Sequence, residues 1–150
     1  MTDNRHESAV RADRYASHVK ELCRLFKVVL VPIDPRQPHQ AAGGTVGLLG
    51  GLIKAIFVAP VIDETTYAVA LHELGHVLSP LGHVISIEGS KHYLTTGQYH
   101  DLRDVRLLLM SEEAAWEWAH HYALEWTSVM TAVEQYSVRH YQHLARRFGS

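Results

Sequence analysis

The pentapeptide His72-Glu73-Leu74-Gly75-His76 constrains this chain most, because it lies inside an apolar run with helical spacing. On a helix, residues four apart project from the same face, so the imidazoles of His72 and His76 can share one metal ion. Glu73 lies one position further round, where it can reach a metal-bound water without binding the metal. The alternative is an ordinary amphipathic helix that carries two of the chain's 12 histidines.

This pattern is typical of zinc peptidases. In such enzymes two imidazole nitrogens bind the metal, a glutamate acts as general base, and an open coordination position holds a water molecule. We therefore predict that His72 and His76 bind Zn²⁺ and that Glu73 is the catalytic base of a zinc-dependent metallo-endopeptidase. The rest of the chain is expected to position these three residues.

The residues around the pentapeptide predict a capped helix from Thr65 to about Leu78. Asp63 is a good N-cap, because its carboxylate can accept hydrogen bonds from exposed backbone N–H groups. Glu64 adds negative charge to the first turn, where the helix dipole favours it. Gly75 costs about 1 kcal/mol relative to alanine in a helix interior, which a close approach by a neighbouring element would explain.

The remaining pattern predicts a single α+β domain of 150 residues, with a small mixed sheet between N-terminal and C-terminal helices. Apolar residues at helical spacing predict a helix over residues 3–24. A β-branched run over 27–31 predicts a short strand. Two apolar runs, 45–49 and 52–59, flank a Gly-Gly pair and predict a hairpin.

Two further helices are predicted in the C-terminal third. The first begins near Asp101 and either breaks at Ser111, as an internal N-cap, or continues to Trp126. The last helix covers residues 127–147. Its apolar and aromatic side carries Val129, Met130, Val133, Tyr136, His140, Tyr141 and Leu144. The chain ends, 1–8 and 148–150, are expected to be flexible.

Composition argues against several other functions. The net charge is −2 with neutral histidines, which offers no electrostatic basis for binding nucleic acid or an anionic membrane. No run approaches the roughly 18 apolar residues of a membrane helix, and the polar start lacks the apolar core of a signal peptide. A cytoplasmic protein is expected, with its oligomeric state left open. The single cysteine, Cys23, excludes an intrachain disulfide and is expected to be buried on a helix.

Two histidines are too few for a catalytic zinc, which normally takes three protein ligands. The first candidate for the third ligand is the pair Glu112-Glu113, at the start of a helical stretch in which Ala115 and Ala119 share one face. Small residues on that face would let two helices cross closely enough to bring the carboxylate to the metal. Otherwise these glutamates are ordinary acids stabilised by a helix dipole.

Two alternatives to the glutamate pair remain open. His83, seven residues after His76, would give the order of ligands found in metzincins. However, Ser79 stands where metzincins have a turn glycine, and the histidine comes one residue late. Asp101 or Asp104 would be an aspartate ligand.

The chain resembles the ImmA/IrrE family of small gluzincin metallopeptidases, and also the minimal gluzincin domains called minigluzincins, over about residues 10–126. The matching stretches are residues 66–76, T-Y-A-V-A-L-H-E-L-G-H, and the pattern Glu112-x-x-Ala115-x-x-Trp118-Ala119. The order of helix, strand, Gly-rich hairpin and metal-motif helix is similar too. Two positions differ from the family pattern, since Trp118 replaces the usual Phe and Ala114 stands where Glu is frequent.

This resemblance implies a zincin-like fold in which Glu112, rather than Glu113, is the third zinc ligand. It also implies that strand 53–58 is the edge strand above the cleft and holds an extended peptide or protein substrate by main-chain pairing. Relatives of this family are associated with cleaving or controlling repressors. The alternative function is therefore a regulatory or interaction module on the same scaffold, with little peptidase turnover.

The oxyanion formed during peptide hydrolysis would need a hydrogen-bond donor besides the metal. Tyr93, His92 and His100 lie between the two motifs and are the candidates. A structural or solvent-facing role suits each of them as well.

Overall fold

The computed structural model describes residues 3–48, 51–79 and 102–148. Its elements in chain order are α1 (Asp3–Phe26), β1 (Val28–Pro32), a 3₁₀ turn (Pro38–Gln40), β2 (Ala42–Leu48), β3 (Gly51–Val58), α2 (Glu64–Leu78), α3 (Leu102–Tyr122) and α4 (Ser128–Phe148). The described residues form an α+β fold with four helices and a three-stranded mixed sheet, which confirms the predicted class.

Strand β3 is the central strand of the sheet. Strand β1 pairs with it in parallel and places Val28 opposite Lys54, whereas β2 pairs with it antiparallel and places Ala42 opposite Phe57. The prediction that residues 53–58 form an edge strand is therefore wrong. A hairpin has two free edges, and local sequence does not say which edge receives a further strand. Here β1 pairs with β3, so β2 is the hairpin strand left at an edge, and β1 forms the other edge of the described sheet.

Asp63 is the N-cap of helix α2, as predicted, and the helix begins at Glu64, one residue before the predicted start. The Asp63 carboxylate accepts from the backbone N–H of Thr66 at 2.8 Å, and the Thr66 hydroxyl accepts from the backbone N–H of Asp63 at 3.1 Å. These reciprocal bonds form a capping box, which satisfies two otherwise unpaired donors. The cap defines the start of the helix and helps to set which residues face the interior.

The same helix lies at the centre of the core. It contacts α1, α3, α4, β2 and β3. Its buried apolar residues are Tyr67, Ala68, Ala70, Leu71, Leu74 and Val77. Because protein surrounds α2 on several sides, the polar residues of its metal motif are also withdrawn from bulk water.

Helix α3 is continuous and ends at Tyr122. Ser111 is therefore not an internal N-cap, and the helix does not continue to Trp126. Just beyond its end, the backbone N–H of Leu124 donates to the hydroxyl of Tyr67 at 3.0 Å. This N–H would bond within α3 if the helix continued, so a tertiary contact with α2 accompanies the end of the helix.

Helix α4 packs on α2 and α3. Its packed face differs from the predicted one, because Tyr136 is 83% exposed whereas Ser137 is half-buried. Met130 and Val133 precede Ser137 on this face, and Tyr141 follows it. Neighbouring residues on a helix point about 100° apart, so one position decides between an exposed tyrosine and an inward-facing serine.

Cys23 is buried on α1, as predicted, and burial raises the pKa of its thiol to about 11.

In the described ranges, no helix combines the length and the apolarity needed to cross a bilayer.

Candidate metal centre

Helices α2 and α3 cross at Gly75 and Ala115. A β-carbon added to Gly75 would lie 2.8 Å from the Cα of Ala115 and closer still to its carbonyl oxygen. Any larger residue would force the helices apart. The close approach expected at Gly75 is thus observed, and it brings Glu112, one turn before Ala115, to the histidines of α2.

Three side chains converge at this crossing. The Nε2 atom of His72 lies 2.8 Å from Oε2 of Glu112, and Nε2 of His76 lies 2.9 Å from Oε1 of the same carboxylate. One ligand atom from each residue lies within 4.8 Å of the others. His72 and Glu112 are buried, and His76 is half-buried. These three residues form a group that can hold a metal ion.

The Nε2 atom of His72 is buried and has no hydrogen-bond partner among the described residues. It is close to the Glu112 carboxylate, but the two atoms lack the alignment of a hydrogen bond. Among the described residues this nitrogen has only its ion-pair contact with Glu112, whereas a shared ion could bind both groups.

The charges of this group depend on one another. Burial by itself would raise the pKa of Glu112, but the adjacent imidazoles of His72 and His76 outweigh burial and hold that pKa well below its usual range. Burial by itself would lower the pKa of His72, but the carboxylates of Glu112 and Glu73 outweigh it and raise the pKa to about 9. In the metal-free protein, a proton on His72 therefore compensates the buried carboxylate. Metal binding would displace that proton.

Neighbouring side chains orient both imidazoles. The ring of Trp116 stacks on His72 with centroids 4.3 Å apart and planes at 16°. The Oγ atom of Ser111 lies 3.4 Å from Nδ1 of His76. The stacking restricts rotation of the His72 ring, and the serine contact lies on the side of His76 away from Glu112.

The carboxylate of Glu112 has a contact of its own from α4. The hydroxyl of Ser137 donates to Oε2 of Glu112 at 3.1 Å. Sequence reasoning missed Ser111 and Ser137 as site residues. A usable signal existed for Ser137, since a polar residue within an apolar helical stripe indicates a buried partner. Ser111 offered only its position next to Glu112.

Glu73 is buried beside the group without being one of its three members. Its side-chain Oε1 lies 3.5 Å from Nδ1 of His72, the ring nitrogen opposite the one that faces Glu112. Its residue exposure is 8%. A buried carboxylate therefore lies beside the ring of one member of the group, on the side away from Glu112.

The other residues predicted for the site either do not belong to the group or lie outside the described residues. Glu113 is exposed and Asp104 is half-buried, and neither belongs to the group of three. The candidates outside the described residues are His83, His92, Tyr93, His100 and Asp101.

Strand β2, one of the two edge strands of the described sheet, runs next to the turn of α2 that carries Glu73. A β-carbon added to Gly43 would lie 2.6 Å from the carbonyl oxygen of Glu73 and 2.9 Å from Cγ2 of Val77. The absence of a side chain at Gly43 thus permits this close approach of strand and helix.

No protein-family model, curated protein or solved structure matches this chain. The chemistry of the centre therefore follows from its own donor atoms. Two imidazole nitrogens and a carboxylate suit zinc, and the same set also suits other divalent transition metals such as iron.

Proposed function

We propose that this protein is a zinc-dependent metallo-endopeptidase of the small gluzincin type, in which His72, His76 and Glu112 bind Zn²⁺. The observation that carries this proposal is the convergence of these side chains in one group at the helix crossing. The H-E-x-x-H spacing accounts for the two histidines. Glu112 belongs to a different helix, α3. Its position beside both histidines therefore supports a metal site independently of the H-E-x-x-H spacing.

Three protein ligands are typical of catalytic zinc, because the fourth position remains open to water, whereas structural zinc sites use four. When bound, zinc supplies Lewis acidity and lowers the pKa of a water molecule to about 7. Glu112 is ionised at neutral pH because its pKa is depressed, as a carboxylate ligand requires. His72 would bind through Nε2 after losing its proton.

Glu73 is the general base in this proposal. It would accept a proton from the attacking water and deliver it to the leaving amine. Its place in the motif and its burial beside His72 support this role. The carboxylate lies on the Nδ1 side of that ring, and catalytic hydrogen bonds are often long or misaligned in substrate-free enzymes.

The substrate in this proposal is a peptide or protein segment held in extended form along β2. This strand is one of the two edge strands of the described sheet, and Gly43 lets it lie close to the turn that carries Glu73. An extended peptide can pair with the free main-chain groups of such a strand. The proposed substrate strand is therefore Ala42–Leu48 rather than residues 53–58.

Glu73→Gln tests the base, because it removes the proton acceptor while keeping the size of the side chain. We expect zinc content to stay unchanged and cleavage of a peptide library to fall by about 10²–10⁴-fold. Glu113→Gln is the matched control, since Glu113 is exposed and outside the group. Cleavage activity that survives Glu73→Gln would refute the proposal that Glu73 is the general base. Loss of zinc would instead assign Glu73 the role of orienting His72.

Metal analysis tests both the ion and the third ligand. The purified protein should contain about one zinc per chain, because the three proposed ligands form a single site. Glu112→Ala should lose this zinc and His83→Ala should keep it, and the reverse result would make His83 the ligand. Zinc binding without chelator-sensitive cleavage would favour the regulatory or interaction module. A protein that binds no zinc would refute both functions.

A further inference from the structure

Ser137 is a polar residue on the packed face of α4, in line with Met130, Val133 and Tyr141 at spacings of three or four residues. Its half-buried hydroxyl donates to Oε2 of Glu112 at 3.1 Å. A serine inside a helix often bonds back to the carbonyl of its own preceding turn. A bond to a carboxylate on another helix is a specific tertiary contact.

This contact acts on the most flexible side chain of the centre. Glutamate has three side-chain torsions, whereas histidine has two, so Glu112 needs more contacts to hold a single orientation. Its two oxygens face different histidines, Oε1 toward His76 and Oε2 toward His72. A donor on Oε2 opposes rotation of the carboxylate. Because a hydroxyl is neutral and donates its proton, it also stabilises the ionised carboxylate without adding a competing positive charge.

The position of Ser137 is itself well supported by the core. The turn that precedes α4 bonds to α2 through the N–H of Leu124 and the hydroxyl of Tyr67. Met130, two turns before Ser137, is completely buried. With the start of α4 held in this way, the serine hydroxyl reaches Glu112 from a fixed direction.

We propose that Ser137 is a positioning residue of the metal centre, whose hydroxyl holds the Glu112 carboxylate toward His72 and His76. Helix α4 thereby contributes to metal affinity through Glu112, although Ser137 itself does not bind the metal. This inference rests on the metal centre of the proposed function. Removing an outer-shell partner of a metal ligand typically weakens metal binding by about 10–100-fold.

Two matched pairs of full-length proteins isolate the hydroxyl: wild type with Ser137→Ala, and Ser137→Thr with Ser137→Val. The dissociation constants of Co²⁺ and Zn²⁺ and the visible spectrum of bound Co²⁺ are measured for each. We expect the member without a hydroxyl to bind about tenfold or more weakly in each pair, with a changed cobalt spectrum. Thr131→Ala removes a hydroxyl from a half-buried residue of the same helix and should bind like wild type.

Equal affinities within both pairs would overturn the role of Ser137 while leaving the metal centre intact, because wild type still binds. A wild type that binds neither ion would overturn the centre itself. Chemical unfolding in chelator reports folding separately from metal affinity. Alanine favours helix, so Ser137→Ala should fold. If it does not, the Thr and Val pair, which have nearly equal volumes, supplies the comparison.

Discussion

The buried pair of His72 and Glu112 is expected to make the stability of the metal-free protein depend on pH. The folded-state pKa of His72 is raised from 6.5 to about 9, so its contribution is fully present below pH 6.5 and is lost as the pH rises through about 9. The pKa of Glu112 is depressed from 4.5, so its contribution is present above pH 4.5 and is lost as the pH falls toward the folded-state pKa.

We therefore predict that, in chelator, the free energy of unfolding falls between pH 6.5 and about 9 because His72 loses its proton. Chemical unfolding at a series of pH values measures this slope. His72→Gln should flatten it, whereas His121→Gln, which changes an exposed histidine, should not. An identical slope in wild type and His72→Gln would contradict the assignment.

At the scale of single residues, the sequence also leaves a choice that only burial makes. Glu112 and Glu113 are adjacent and chemically identical, and in the sequence only the register with Ala115, Trp118 and Ala119 favours Glu112. In the fold Glu112 is 7% exposed and faces two imidazoles, whereas Glu113 is exposed to solvent. Successive helix residues point about 100° apart, and the packing of α3 decides which one faces inward.

At the scale of elements, the crossing of α2 and α3 determines whether the two halves of the centre meet. Gly75→Ala would place a carbon 2.8 Å from the Cα of Ala115, so the helices must separate. Overpacking of this kind costs about 1–3 kcal/mol, and the better helix propensity of alanine offsets it by about 1 kcal/mol at most. We predict lower stability together with weaker metal binding, since Glu112 would move away from the histidines.

Chemical unfolding and cobalt titration measure these two effects. Gly44→Ala is the control, because no atom lies within 4 Å of the carbon that it adds. A Gly75→Ala protein with wild-type stability and wild-type metal affinity would show that the close crossing is not required.

The sheet shows the limit of local prediction for elements. The strands and the hairpin were predicted from β-branched runs and a Gly-Gly pair, and β2 and β3 confirm them. Which strand of the hairpin pairs with β1 was not predictable in the same way. Pairing of β1 with β3 is a long-range contact, and it reverses which strand is left at the edge.

At the scale of the whole molecule, metal binding should stabilise the fold. The histidines lie on α2 and the glutamate on α3, so the complete ligand set exists only after folding. A ligand that binds only the folded state at 100 times its dissociation constant adds about 2.7 kcal/mol. We predict a gain of this order in the free energy of unfolding with zinc, measured against the same protein in chelator.

Glu112→Ala should lose most of this gain, while Glu113→Ala should keep it. A wild-type protein whose unfolding is insensitive to zinc would show that the three residues do not form a binding site in solution.

The sequence by itself determined the features that depend on neighbours along the chain. These are the helical placement of His72 and His76 on one face, the capped start of α2 at Asp63, the hairpin and the α+β class. Each follows from helix periodicity, side-chain capping or the turn preferences of glycine, which act over a few residues. Only the tertiary structure brought the Glu112 carboxylate to both histidines, turned Ser137 rather than Tyr136 inward, and left β2 rather than β3 as the hairpin strand at the sheet edge. These outcomes depend on which helix faces and strand edges pack together, and such contacts join residues far apart in the chain.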